Sequence, residues 1–403
     1  MTIDFMSGPD ESNAKDVKMQ VSACSIDVMK NNGNVYPELF KSIFKKSRSR
    51  YTCDIITGDF RINCIQQRIS YLVRFINMSK TLLVAALGFI LIITACKKSA
   101  PSPAPPPSFT TGYNIYMAGT ADGKVVYWKN GVEVDLAPSG IASSITVSGS
   151  DVYVGGYIFD GQNIEATYWK NGQQIQLEDA GVSHVFGIAF NGTDVYCVGD
   201  LYGPQGNGQD SVTYWVNGIR MHYSPNTNGQ ATSIMFAGSE MYVGGQVWDL
   251  SGNDTAVVWK NGVQNWYGTP GGVYALGLSP TDTLAVGNLG TLPTYWTNKN
   301  FFQLASSGYG TSIAISGSDI YIGGDTLNIA GTNQAVYWKN NIMTSLKSKY
   351  GISSVLGMAI AGTDIYAVGE VNDNIKYIPV YWKNGTIYNL ADNGTVYAVC
   401  VGQ

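Results

Sequence analysis

Side chains able to do bond-breaking chemistry are few in this sequence. Only two histidines occur in 403 residues, His184 and His222, and neither has a cysteine or carboxylate at metal-ligand spacing. Both read as structural residues. No HExxH, GxSxG, P-loop or CxxC pattern is present, so the sequence points to no catalytic residue, no metal and no cofactor. It favours a protein that is not an enzyme. What remains is a set of aromatics beside carboxylates in segments of variable length: Tyr157, Asp160, Asp200, Tyr202, Trp248, Asp249, Asp325 and Glu370. Aromatic rings cover apolar faces while carboxylates accept protons from hydroxyls or amines, the chemistry that a sugar or a protein segment needs.

The elements that must position these residues follow from self-comparison. Tyr127-Trp128-Lys129-Asn130-Gly131 returns at Tyr168, Tyr214, Val258, Tyr295, Tyr337 and Tyr381, with Trp-to-Trp steps of 41, 46, 44, 37, 42 and 44 residues. Seven units with that period fit four-stranded propeller blades. In the second unit, alternation predicts a first strand over Ser144–Ser148, a second over Asp151–Gly156 and a third over Ala166–Lys170. Asn171-Gly172 then closes a two-residue hairpin, because a type I′ turn needs positive φ at both positions. The acids that open each second strand, such as Asp151 and Asp319, read as caps of their own Gly-Ser turns. A single meander cannot bury both faces, so the units must stack around an axis.

The first unit begins at its second strand, Asn114–Gly119, and the chain ends on Thr395–Gln403, a spare first strand. The expectation is an all-β fold: a seven-bladed β-propeller of four-stranded antiparallel blades, closed when the C-terminal strand completes the first blade. Turns one and three of each blade share one face. The variable connections between second and third strands share the other, and variable loops on a rigid scaffold are where binding resides.

Upstream, Thr81–Ala95 is an apolar run of fifteen residues after Lys80, too short for a bilayer span of about 20. Ile93-Thr94-Ala95-Cys96 resembles the bacterial lipobox, which implies a lipid on Cys96 and a mature chain starting there. Pro101, Pro103 and Pro105–Pro107 favour an extended tether. The expected organisation is an upstream extension over 1–77 absent from the mature protein, a lipoprotein signal over 78–96, a Pro-rich tether over 97–112 and the propeller over 113–403. The aromatic-Trp-x-Asn-Gly units resemble the bacterial extracellular repeats called HAF. That resemblance implies an exported β-propeller without defining a reaction.

Residues 109–403 hold 11 basic and 21 acidic residues, a charge that repels phosphate backbones and excludes nucleic acid as a partner. The functional expectation is a monomeric, lipid-anchored propeller at the bacterial cell envelope, on the outer membrane. Its variable face would bind a glycan or an envelope protein without catalysis. One alternative is a polysaccharide-acting enzyme using Asp200 and Asp325 as acid and base. Another is a scaffold of an envelope assembly complex.

Overall fold

The computed structural model describes residues 109–110, 112–177, 182–202, 210–222, 228–249, 251–298 and 300–402. Cys96, the signal and most of the tether lie outside them. Twenty-eight strands form seven four-stranded antiparallel sheets, the blades of a seven-bladed propeller. The inner strands of successive blades are Gly394–Gly402, Gly140–Ser148, Val182–Asn191, Gly229–Ala237, Gly271–Leu278, Tyr309–Ser316 and Ile352–Ala361. Each lies against the inner strand of the next blade, so together they enclose a central channel. The C-terminal strand pairs antiparallel with Asn114–Ala121, and the ring closes as expected.

Hairpin chemistry holds each blade in register. In blade 2, Asn171 takes φ 52° and Gly172 φ 82°. The Asn171 side-chain oxygen accepts the Val152 backbone N–H at 2.9 Å, and its Nδ2 donates to Asp151 at 2.8 Å. The same pair of bonds recurs at Asn217, Asn340 and Asn384. The strand-opening acids therefore do not cap their own turns. Their oxygens are better used across the sheet, on the turn asparagine and on the lysine that precedes it. Lys170–Asp151, Lys260–Glu240, Lys339–Asp319 and Lys383–Asp364 approach to between 2.8 and 3.0 Å, each ammonium also lying over a tyrosine ring of the second strand.

Between blades the repeated tryptophans are the largest buried side chains, from 0% to 2% exposed. The indole N–H of Trp128, Trp169, Trp296 and Trp338 has no hydrogen-bond partner, so these rings stabilise by volume alone. On the seam between blades 7 and 1, Phe109 stacks on Tyr366 and Tyr381, and Thr110 donates to Asp364 at 2.5 Å. The Thr110 hydroxyl, followed by Lys383 and Asn384, lowers the Asp364 pKa to about 2.

One feature departs from simple alternation. Every inner strand carries a bulge, at Ser143, Phe186, Thr232, Tyr274, Thr311, Leu356 and Tyr397. The extra residue breaks the period-2 signal that marks a strand, which is why Gly140–Ser143 of blade 2 reads as loop in sequence, whereas the C-terminal strand is read almost from its start. Beside each bulge a backbone carbonyl is pressed onto a glycine of the second strand. A Cβ on Gly119, Gly156, Gly199, Gly245, Gly287, Gly324 or Gly369 would stand between 1.8 and 2.1 Å from that oxygen.

Four substitutions test this packing. Gly324→Ala should lose about 3 kcal/mol to the collision with the Tyr309 carbonyl. Gly351→Ala, where a Cβ meets open space, should stay within about 0.5 kcal/mol in the same denaturant titration. Trp169→Ala should cost ~3–5 kcal/mol, and Trp169→Phe less than half of that, because the lost N–H had no partner.

Candidate functional site

The second strands run from the Asn-Gly end of the ring towards the variable loops, and each passes the close-packed glycine just before its exit. The next residue in each blade is Thr120, Tyr157, Asp200, Gln246, Asn288, Asp325 and Glu370 in order. Seven polar or hydroxyl-bearing residues thus share one register position around one end of the channel. Three are carboxylic acids and none is basic. Four of the sequence candidates, Tyr157, Asp200, Asp325 and Glu370, occupy this ring. The other four do not. Asp160 and Asp249 are consumed by their own loops: Asp160 accepts the N–H groups of Gln162 and Asn163, and Asp249 those of Ser251 and Asn253. Tyr202 and Trp248 end their strands beyond the ring, Tyr202 as an exposed side chain.

Each acid in the ring has a different environment. His184 on the inner strand of blade 3 pairs in register with Asp200 and donates from Nδ1 to its Oδ1 at 2.6 Å. His184 is therefore part of the mouth, not the isolated structural residue its sequence context suggests. The Tyr157 ring meets it edge-on at 4.7 Å, and Phe186 stacks on it at 5.7 Å. In blade 7, Glu370 accepts from Thr395 of the C-terminal strand at 2.6 Å, and burial raises its pKa. In blade 6, Asp325 is only 5% exposed. Ser354 donates to its Oδ2 at 3.0 Å while Oδ1 has no partner within hydrogen-bond distance, and burial raises its pKa, with the Ser354 hydroxyl and the Tyr309 backbone N–H offsetting part of the effect.

Asn288 in blade 5 repeats the pattern in neutral form. Its Nδ2 donates to the Gly290 carbonyl, and its buried Oδ1 has no partner. Sequence inspection missed His184, Asn288, Gln246 and the inner-strand partners Ser354 and Thr395. The available signal was positional: each ring member follows the glycine that ends the second-strand repeat. Among the described residues, no group of three or more His, Cys, Asp or Glu side chains is disposed to hold a metal ion.

Recurring lysines at the Asn-Gly end are matched there by acids. At the other end the ring acids Asp200, Asp325 and Glu370 are held by imidazole and hydroxyl groups, and Lys124, Lys347, Lys349 and Lys376 lie on the surrounding connections.

No family model matches the chain, and no curated protein aligns with it. Several solved structures share its shape. A puromycin hydrolase mutant complexed with PGG superposes with a TM-score of 0.50 at 10% identity, over 70% of this chain and 52% of that one. A Mycobacterium tuberculosis puromycin-hydrolyzing peptidase gives 0.49 at 10% identity, over 69% and 53%. The β-propeller domain of the trilobed protease from Pyrococcus furiosus gives 0.44 at 10%, over 70% and 96%. The chain spans about half the length of the two puromycin hydrolases. At this identity the likeness establishes the propeller fold, with no support for HAF-like repeats.

The functional expectation drawn from the loops is corrected. The structure that superposes at a TM-score of 0.50 is a puromycin hydrolase, and non-catalytic binding of a glycan or an envelope protein is not shown. Half of the loop residues on which that expectation rested turn back on their own loops or end beyond the ring.

The buried acids make a pH prediction. A carboxyl whose folded pKa is raised contributes stability fully below its unfolded value of about 4, and that contribution is lost as pH rises through the folded pKa. Asp325 and Glu370 both have this sign. Their share of the melting temperature should therefore fall as pH rises above about 4, opposing the rise contributed by acids held low such as Asp364. Asp325→Asn combined with Glu370→Gln should flatten that fall, and parallel melting curves for parent and variant would show that neither acid is responsible.

Proposed function

We propose that the propeller receives amine-bearing, cationic peptides at the carboxylate end of its channel and so selects substrates for peptide processing. The observation that carries this reading is the unpartnered, buried Oδ1 of Asp325 within a ring that has no basic residue. A buried acceptor without a partner costs about 1–3 kcal/mol, which an arriving donor recovers. Asn288 presents a second such acceptor on the adjacent blade. Both groups ask for N–H or N⁺–H donors, and the tyrosines beside them offer faces to a cation.

Peptides are the class to test first because they bring a terminal ammonium together with backbone donors. A puromycin hydrolase complexed with PGG carries a propeller of this fold. The proposal retains export and attachment through Cys96 to the bacterial envelope, supported by the Ile93-Thr94-Ala95-Cys96 tetrapeptide. A propeller held there would meet extracellular peptides.

Isothermal titration with trilysine amide and with triglutamate tests the reading. Trilysine should bind, triglutamate should not, and affinity should fall with added salt. Asp325→Asn should weaken trilysine binding by about tenfold, equivalent to about 1.4 kcal/mol. Equal binding of the two peptides, or an unchanged affinity in the Asp325 variant, would overturn it.

A further inference from the structure

The seven bulge residues on the inner strands alternate in size. Blades 2, 4 and 6 carry Ser143, Thr232 and Thr311, whereas blades 1, 3, 5 and 7 carry Tyr397, Phe186, Tyr274 and Leu356. The small residues turn sideways. Ser143 donates to the Val185 carbonyl at 2.5 Å, Thr232 to that of Val273 at 2.5 Å and Thr311 to that of Val355 at 2.6 Å. Each accepting carbonyl belongs to the residue just before a bulky bulge residue in the next blade. The hydroxyls thereby tie even blades to odd ones, and their short side chains leave room for the bulky residues between them.

Three of those bulky residues lie beside residues of the mouth. Phe186 stacks on His184, the in-register partner of the ring acid Asp200. Tyr397 is near Glu370 and Tyr157. Tyr274 lies beside Gly272, where Gln246 also reaches. Burial pushes the Tyr274 hydroxyl up to about 12 and raises that of Tyr397, as expected for phenols deep in the ring. An odd number of blades cannot alternate perfectly, so Leu356 and Tyr397 are neighbours and the bulk is heaviest at the closing seam.

Resting on the reading of the mouth as a cation site, we propose that Phe186, Tyr274, Leu356 and Tyr397 form a floor across the channel. The ligand is then the free amino terminus of a peptide, inserted end-on, and not an internal lysine of a threaded chain. A through-channel would pass an extended segment with blocked ends. A floored pocket accepts only what terminates within it, and the donors it can reach are the three N–H groups of a terminal ammonium. The acids above the floor supply the counter-charge.

Two probes separate the possibilities: triglycine amide with a free amine, and a ten-residue peptide with one central lysine, acetylated and amidated at its ends. The parent protein should bind triglycine amide at least tenfold more tightly than the blocked peptide. Phe186→Ser and Tyr274→Thr, which install the residue types of the even blades, should narrow that ratio by admitting the blocked peptide. Circular dichroism and melting curves establish that each variant is folded. Leu356→Ser provides a third opening, and the parent's own preference is measured without any variant.

Equal affinity of the parent for both probes would overturn the proposal. So would folded floor variants with an unchanged ratio. Failure of the underlying reading looks different: Asp325→Asn would then leave triglycine amide binding as it was. If instead that variant loses binding while the floor variants keep the parental ratio, the mouth stands and the floor falls.

Discussion

Each blade depends on one close contact, a backbone carbonyl of the inner strand resting on a glycine Cα of the second strand. The contact occurs seven times, and at every one a Cβ would stand near 2 Å from the oxygen. It exists because the inner strand carries an extra residue at that level. The bulge locally increases twist and reverses which residues face the channel. Without the glycine the bulge could not seat. Without the bulge, neither the ring of residues following the glycine nor the alternating floor residues would point where they do.

Around that contact the stabilising interactions are divided between the two ends of the ring. At one end the turn asparagines, lysines and strand-opening acids form exposed clamps, each worth little alone, whose joint effect is register. In the middle, the tryptophans fill the space between blades, and their size matters more than their hydrogen-bonding capacity. At the mouth the balance changes. Asp325 and Asn288 retain buried acceptors without partners, and Glu370 is held by a single threonine hydroxyl.

The C-terminal strand joins these themes. It completes blade 1, supplies the Tyr397 bulge residue and places Thr395 on Glu370. The packing of Phe109 and Thr110 on blade 7 reinforces the same seam from the opposite end of the ring. Closure and site are therefore built partly from the same nine residues, Gly394 to Gly402.

The repeat determined the architecture unaided. Seven Trp-Asn-Gly units, period-2 strands and complementary chain ends are local or countable features, and they required seven blades closed by the last strand. The sequence also marked Tyr157, Asp200, Asp325 and Glu370, as aromatics and carboxylates in segments of variable length. It could not separate them from Asp160 and Asp249. Whether a loop acid faces a channel or its own turn depends on φ and ψ over three or four residues, which composition does not encode. His184 was hidden for a related reason: its partner Asp200 is 16 positions away, and their pairing depends on a bulge that erases the alternation by which strands are recognised. Only the tertiary structure brought residues from all seven blades to one opening, since a ring of convergent side chains exists only once every blade is in place.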